Sequence, residues 1–146
     1  MQDNLLMGFD GISRNSQVAA KNVVTSISEQ EKQDLFLNLA DLNAQGVEFF
    51  SSQETIEKHA LLTKKIRDIK LQLNGDRDID KINKIITDTE SAGSLCTRFM
   101  GAGGGGFFVC WAPKYYHNDI KNSVKIKTWV DVKFSSSGSQ IIFCDQ

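Results

Sequence analysis

The sequence predicts an α+β fold, in which several helices cover one side of a small and mostly antiparallel sheet. Apolar residues recur at helical spacing through the first two thirds of the chain. Short apolar or alternating runs, separated by glycine-rich or serine-rich turns, fill the last third. The length of 146 residues suits one domain that buries a real core. We therefore expect a single domain over residues 1–146, with three or four strands.

The chain opens with a predicted strand over residues 5–9, and four helical stretches follow it. The first begins after Arg14. The next three carry apolar stripes at helical spacing, namely Leu35, Leu39, Leu42, Phe49 and Phe50, then Leu62, Ile66, Ile69 and Leu73, then Ile79, Ile82, Ile85 and Ile86. We interpret these stripes as the core-facing sides of packed helices.

Local signals bound two of these helices. Ser28 with Glu31, and Ser51 with Glu54, each have the form of a capping box, in which each side chain binds a free backbone N–H of the other's turn. Both pairs therefore predict the start of a helix. The dipeptide Asn74-Gly75 predicts the end of the helix that follows the second pair.

The last third of the chain reads mainly as strands. Residues 95–100 and 107–112 are predicted strands on either side of a glycine-rich segment. A short helix over residues 115–124 follows them. Residues 129–134 alternate apolar and polar side chains, as a half-buried strand does, and residues 140–144 are their predicted hairpin partner across a serine-rich turn.

The composition favours an ordinary intracellular domain. The 17 basic and 18 acidic residues give a net charge of -1, which offers no electrostatic argument for nucleic acid or a membrane surface. No apolar run approaches the ~20 residues of a membrane span, and the N-terminus lacks the features of a signal peptide. Cys96, Cys110 and Cys144 form no Cys-x-x-Cys pair, which favours a reduced cytoplasmic setting. His59 and His117 lie far apart, so we expect no metal site and interpret His59 as a solvated helix residue.

The most informative segment runs from Arg98 to Cys110, where five of the eleven glycines fall within six residues. Glycine reaches backbone angles that other residues avoid, and it lets a ligand lie directly against the main chain. The flanking residues are apolar and bulky, unlike those of a flexible linker. We interpret the segment as a close-approach surface for phosphate or another anion, with a tight turn that binds nothing as the alternative.

Two common nucleotide-binding motifs do not explain this segment. Gly101, Gly103 and Gly106 satisfy the pattern Gly-x-Gly-x-x-Gly, but a dinucleotide fold needs a helix after the loop to meet the pyrophosphate. Strand residues follow here, which disfavours that fold. A Walker A loop requires Gly-Lys-Ser/Thr, whereas this chain has Gly106-Phe107, which excludes it.

The strand, glycine loop and strand, with Arg98 just ahead of the loop, resemble the C-terminal glycine motif of the GHMP kinases. This superfamily of small-molecule kinases includes galactokinase, homoserine kinase and mevalonate kinase. The chain is most similar to the branch that phosphorylates D-glycero-D-manno-heptose 7-phosphate. The likeness lies in residues 11–14, in residues 92–107 and in residues 132–142, and the middle stretch is the most specific.

The chain departs from the pattern of that branch. Asp10 stands where the branch has Thr, Cys96 and Thr97 stand where it has Gly-Gly, and Arg98 replaces Lys. Arginine keeps the charge but changes a point donor into a planar fork, so the substrate can differ. The nucleotide loop Pro-x-x-x-Gly-Leu-x-Ser-Ser-Ala of the N-terminal half of these kinases is absent, since Pro113 is the only proline.

The resemblance implies the C-terminal half of an ATP-dependent sugar or sugar-phosphate kinase, a ferredoxin-like two-layer domain that forms one wall of the phosphoryl-transfer cleft. It implies ATP and Mg²⁺ as cofactors of the whole kinase, neither of them bound strongly by this chain, which we expect to be inactive alone. The implied partners are a small sugar or sugar phosphate and either a separate N-terminal kinase half or a second copy. No nucleic acid or membrane partner is expected.

The resemblance also implies the site residues, none of which is a catalytic group. Positioning and charge neutralisation dominate phosphoryl transfer. We expect the nucleotide–sugar junction to meet backbone N–H groups of Gly101, Ala102, Gly103, Gly104, Gly105 and Gly106. Ser13 and Arg14, at the start of a helix, are expected to bind an anionic substrate group, with a surface ion pair as the alternative for Arg14. Arg98 either assists there or pairs with a carboxylate.

Two other functional classes remain open at this stage. One is a stand-alone module that binds a sugar phosphate or a protein without transferring phosphate. The other is a plain interaction domain, in which an apolar patch beside the glycine loop drives association.

Overall fold

The computed structural model describes residues 1–12, 30–52, 54–74, 79–101, 105–135 and 138. Its elements within those ranges, in chain order, are β1 (Leu5–Phe9), α1 (Gln30–Ser51), α2 (Ile56–Asn74), α3 (Ile79–Ser91), β2 (Cys96–Phe99), β3 (Phe107–Trp111), α4 (His117–Ser123) and β4 (Thr128–Val130). Single 3₁₀ turns precede β1 and α4. The predicted α+β class is confirmed.

The four strands form one antiparallel sheet in the order β2-β3-β1-β4. Because successive side chains of a strand point to opposite faces, the register assigns each residue to a face. One face carries Leu6, Gly8, Thr97, Phe99, Phe108, Cys110 and Trp129. The other carries Leu5, Met7, Phe9, Cys96, Arg98, Phe107, Val109, Trp111, Thr128 and Val130.

The main core lies on the first of these faces. Its buried side chains come from β1, β2, β3, α3, α4 and the segments beside them, and include Ile82, Ile86, Phe99, Phe108 and Ile120. The predicted helical stripe of α3 therefore faces the sheet. A smaller cluster of Ala60, Cys96 and Trp111 joins α2 to the other face, near the edge strand β2. α1 packs on α2 and has no fully buried side chain among those described.

Three details differ from the sequence prediction. Ser51 does not begin a helix: it is the last residue of α1, and its hydroxyl donates to the Val47 carbonyl at 2.8 Å. His59 is not solvated but 3% exposed, and its ring stacks on Trp111 with centroids 5.4 Å apart. The strand expected over 129–134 pairs only as far as Val130.

Several predictions fall outside the described residues. These are the helix after Arg14, the capping box at Ser28 and the strand over 140–144. Within the described ranges, no helix combines the length and the hydropathy that crossing a membrane requires.

Candidate anion-binding site

The glycine segment connects two adjacent antiparallel strands, as predicted. The backbone N–H of Met100 donates to the carbonyl of Phe107 at 2.7 Å and closes the hairpin. Gly101, Gly105 and Gly106 have φ angles of 65°, 126° and 96°, a region that side chains disfavour. At these three positions the backbone path therefore favours glycine. Residues 102–104 lie outside the described part of the chain.

Asp10 anchors the end of the glycine segment to the end of β1. Its Oδ1 accepts hydrogen bonds from the backbone N–H groups of Gly106 at 3.0 Å and Ile12 at 2.8 Å. The N–H of Asp10 in turn donates to the Gly106 carbonyl at 3.0 Å. The Asp10 side chain is 1% exposed, and Nζ of Lys81 lies 3.9 Å from its Oδ2. The carboxylate is therefore a structural clamp on the loop.

This clamp changes which backbone donors a ligand can reach. The N–H of Gly106 is already paired with an internal carboxylate, so in this conformation it is not offered to an external anion. The N–H groups of Gly101 and Gly105 make no hydrogen bond within the described residues. They are the donors that the described ends of the loop leave for a ligand.

Arg98 lies on β2, directly before the hairpin, and lines a narrow cleft together with Arg67 and Lys70 of α2. Its Nε is buried and has no hydrogen-bond partner among the described residues. Burial lowers the pKa of Arg98, and burial together with the charge of Arg98 lowers the pKa of Lys70. No carboxylate within the described ranges forms an ion pair with either side chain. Lys70 Nζ donates to the Gly101 carbonyl at 2.9 Å, which connects the cleft to the loop.

Arg67 has a different role in the same cleft, because its charge is compensated. Its guanidinium pairs with the Glu90 carboxylate, and its Nη1 also donates to the Thr97 carbonyl at 3.1 Å. Burial acts to lower the pKa of Arg67, but hydrogen bonds to Asp68 and Glu90 outweigh it and raise the pKa overall. Glu90 also accepts from the N–H of Thr97 at 3.0 Å. This pair joins α2, α3 and β2.

The structure brings together only some of the predicted site residues. Gly101, Gly105, Gly106 and Arg98 lie at one end of the hairpin, whereas Ser13 and Arg14, like residues 102–104, fall outside the described residues. The sequence did not predict Lys70 as a site residue, because nothing in the local sequence distinguishes it from other lysines of a helix. It noted Asp10 only as a departure, although Asp followed by Gly is typical of a side chain that binds the N–H two residues on.

The described residues do not fit a site for Mg²⁺. No group of three or more His, Cys, Asp or Glu side chains within them could hold a metal ion. Asp10 is the carboxylate bonded to the loop, and its Oδ1 is taken by two backbone donors while Lys81 lies beside Oδ2. We therefore assign no metal ligand in the described part of this chain.

The fold is similar to part of the crystal structure of L. major mevalonate kinase in complex with R-mevalonate, with a TM-score of 0.69 over 83% of this chain. The two sequences are 21% identical, and the match covers 37% of the mevalonate kinase chain. No protein-family model matches the sequence. No curated protein matches it significantly. The fold expected from the resemblance to GHMP kinases is thus supported, whereas the heptose branch is not.

Proposed function

We propose that this chain forms the glycine-loop wall of the phosphoryl-transfer cleft in an ATP-dependent kinase that acts on a sugar or sugar phosphate. One observation supports this most: a hairpin with positive-φ glycines stands beside two cations, Lys70 and Arg98, that pair with no carboxylate among the described residues, in a fold similar to that of a kinase. The match to 37% of that kinase is consistent with a contribution of one wall only.

In this proposal the chain positions substrate and neutralises charge, and it donates no catalytic group. The backbone N–H groups of Gly101 and Gly105 bind phosphoryl oxygens at the nucleotide–sugar junction, where negative charge develops. Arg98 binds an anionic group of the sugar substrate, and Ser13 and Arg14 are the proposed partners for the same group. ATP and Mg²⁺ act in the whole kinase, and we place the metal ligands outside the described residues.

We propose a separate N-terminal kinase half as the partner, docked on the sheet face opposite the main core. Met7, Phe9, Phe107, Val109 and Val130 share that face by register. Phe107 is 45% exposed and Val130 40%, and Phe107 directly follows the glycine segment. Apolar side chains exposed beside a binding loop are typical of an interface.

The free Cys96 and Cys110 thiols fit a reducing, cytoplasmic compartment.

The test is phosphoryl transfer from ATP to a panel of sugars and sugar phosphates. The purified chain is assayed alone and with an added N-terminal half that carries the nucleotide loop. We expect transfer only in the mixture, and expect Phe107→Ser to weaken the complex of the two halves. Self-association of the chain, unchanged by the added half, would instead make a second copy the occupant of the apolar face.

A second candidate function is favoured by the clamp at Asp10. An internal carboxylate already occupies the Gly106 N–H, as in a loop that holds its shape without receiving a transferred phosphoryl group. On this alternative the chain is a non-catalytic module that binds a sugar phosphate or a protein. Binding of sugar phosphate without transfer, both alone and in the mixture, would favour the module over the kinase.

A further inference from the structure

We infer that Lys70 and Arg98 form a subsite for a phosphate-type oxyanion, in the cleft between α2 and β2 at the base of the glycine hairpin. Its identification with the phosphate of a sugar phosphate rests on the proposed function. The binding of the anion itself does not.

Cationic and apolar side chains together line the cleft. Arg67, Lys70 and Arg98 supply the polar groups, and Leu71, Ile82 and Phe99 are among the apolar residues that line it. These side chains come from three elements that the core holds in place, namely α2, α3 and β2. The backbone positions of the donors are therefore set before an anion arrives, which lowers the entropic cost of binding.

The charges of the cleft are not balanced within the described chain. Glu90 compensates Arg67, which leaves the charges of Lys70 and Arg98 without a carboxylate. The Nε of Arg98 is also a buried donor with no acceptor among the described residues. Such groups are rare in native proteins, because an unmade hydrogen bond in a buried place is unfavourable. An oxyanion would supply the acceptor and compensate the repulsion between the two cations.

Two features favour a phosphate over a carboxylate. A phosphate monoester carries close to two negative charges at neutral pH, which matches the two uncompensated cations. Its oxygens point in several directions, so one can face the planar fork of Arg98 while another faces the ammonium of Lys70. Lys70 uses one of its three donors on the Gly101 carbonyl, so an anion bound to Lys70 would lie near Gly101, whose N–H makes no hydrogen bond within the described residues.

The opposing interpretation is that both side chains only pack their alkyl stems on the apolar walls and extend their charged groups into water. This accounts for partial burial but not for an Nε that is withdrawn from solvent and unpaired. The two interpretations differ in what removal of the charge does. A packing role predicts that Arg98→Met keeps the stem and leaves anion binding unchanged, whereas a binding role predicts that it abolishes the site.

The experiment is a titration of the full chain with inorganic phosphate at constant ionic strength. Thermal unfolding measures the affinity, and the backbone amide signal of Gly101 in nuclear magnetic resonance spectra reports the location. Lys70→Gln and Arg98→Met each remove one cation. Lys65→Gln is the matched control, since Lys65 is an exposed residue of the same helix. Arg98→Lys retains the charge but not the fork.

We expect saturable stabilisation and a shift of the Gly101 signal in the wild type and in Lys65→Gln. The affinity should fall by about tenfold or more in Lys70→Gln and in Arg98→Met, and less in Arg98→Lys. Without phosphate, the melting temperature of Arg98→Met should be no lower than that of the wild type, because the variant loses a cation that no described carboxylate pairs with and keeps the packing of the side chain. A non-saturable response that is equal in all variants would overturn the subsite.

Failure of the subsite and failure of the proposed kinase are distinguishable. Phosphate binding that depends on Lys70 and Arg98, without transfer in the two-half mixture, keeps the subsite and removes the kinase. Transfer in that mixture, with no saturable phosphate binding and with normal turnover of Lys70→Gln, keeps the kinase and removes the subsite.

Discussion

The carboxylate of Asp10 binds the backbone N–H of Gly106 across 96 positions of sequence, with an Oδ1–N distance of 3.0 Å. This contact ties the last glycine of the hairpin to the end of the central strand β1. Because the carboxylate is almost wholly buried, the loop is held by an internal anion even before any ligand arrives. The shape of the loop is therefore coupled to the identity of residue 10.

Replacement of Asp10 by Ala should destabilise the fold. The N–H groups of Ile12 and Gly106, both part-buried, would lose their acceptor, and we expect a loss of about 1 kcal/mol for each, at the lower end for an unpaired donor. Urea denaturation measures the free energy of unfolding. Asp3→Ala removes the same group from an exposed position and should leave it nearly unchanged. Equal midpoints for the two variants would contradict the clamp.

The ion pair of Arg67 and Glu90 should be more costly to break than a surface pair. Removal of one partner leaves the other as a buried or half-buried charge without compensation. We expect this to cost about 3 kcal/mol. The value is at the lower end for buried pairs because the Glu90 side chain is 26% exposed. The loss in Arg67→Met combined with Glu90→Gln should be smaller than the sum of the two single losses. The exposed pair of Lys84 and Asp88 is the control, with an expected coupling of about 0.5 kcal/mol or less. Additive effects at Arg67 and Glu90 would contradict this account.

Stability should fall at alkaline pH because of two buried thiols. Burial raises the pKa of Cys96 to about 12 and that of Cys110 to about 11, from an ordinary value near 9.0. Above pH 9 the unfolded chain loses these protons while the folded chain keeps them, so the free energy of unfolding decreases as the pH rises towards 11. Below pH 9 the contribution is constant.

The measurement is urea denaturation at pH 8 and pH 10.5. The double variant Cys96→Ala/Cys110→Ala should lose less stability between these two pH values than the wild type does. Comparison of the change with pH, rather than of the absolute stability, removes the cost of the small cavities that the variants create. An identical change in both proteins would show that these thiols are not held protonated.

Gly93, two residues after the end of α3, has a conformation that a side chain should not tolerate. Its φ is 109°, and an added Cβ would lie 2.5 Å from ring atoms of Tyr116. Gly93→Ala should therefore cost about 2 kcal/mol or more, from backbone strain and overpacking together. Tyr116→Ala in the same chain should recover the overpacking part only. Gly46→Ala, inside α1, should instead stabilise by about 0.5–1 kcal/mol, because the added Cβ would lie 3.7 Å from Leu62 Cδ2, an ordinary van der Waals contact.

The regular elements could be predicted because their signals are local. The stripe of Ile82, Ile85 and Ile86 identifies α3, and bulky apolar residues beside a glycine run identify β2 and β3. His59 could not be predicted in the same way, since a partner 52 positions away, Trp111, buries it. The helix start predicted at Ser51 was wrong, because the capping-box pattern of Ser51 and Glu54 also occurs where no helix begins.

The site was predicted less completely than the fold, and for the same physical reason. The glycine segment can be recognised from its composition alone. Lys70, in contrast, contacts Gly101 only because α2 packs against β2, which the local sequence does not show. The departure at Thr97 is likewise explained only in three dimensions. Its hydroxyl lies 2.8 Å from that of Thr89 and 3.3 Å from the sulfur of Cys110, so this buried polar side chain has its hydrogen-bond partners.

The most direct test of the central claim is the turnover number for phosphoryl transfer in the mixture of the two halves, measured with Gly105→Ala. Gly105 has a φ of 126°, so a side chain there should distort the loop, whereas Gly46→Ala replaces a glycine far from it in sequence and serves as the control. We expect the turnover number to fall by about 100-fold or more in Gly105→Ala, because the transition state would lose a backbone donor to its developing negative charge. Gly46→Ala should leave the turnover number unchanged. Normal turnover of Gly105→Ala would contradict the role of the glycine loop.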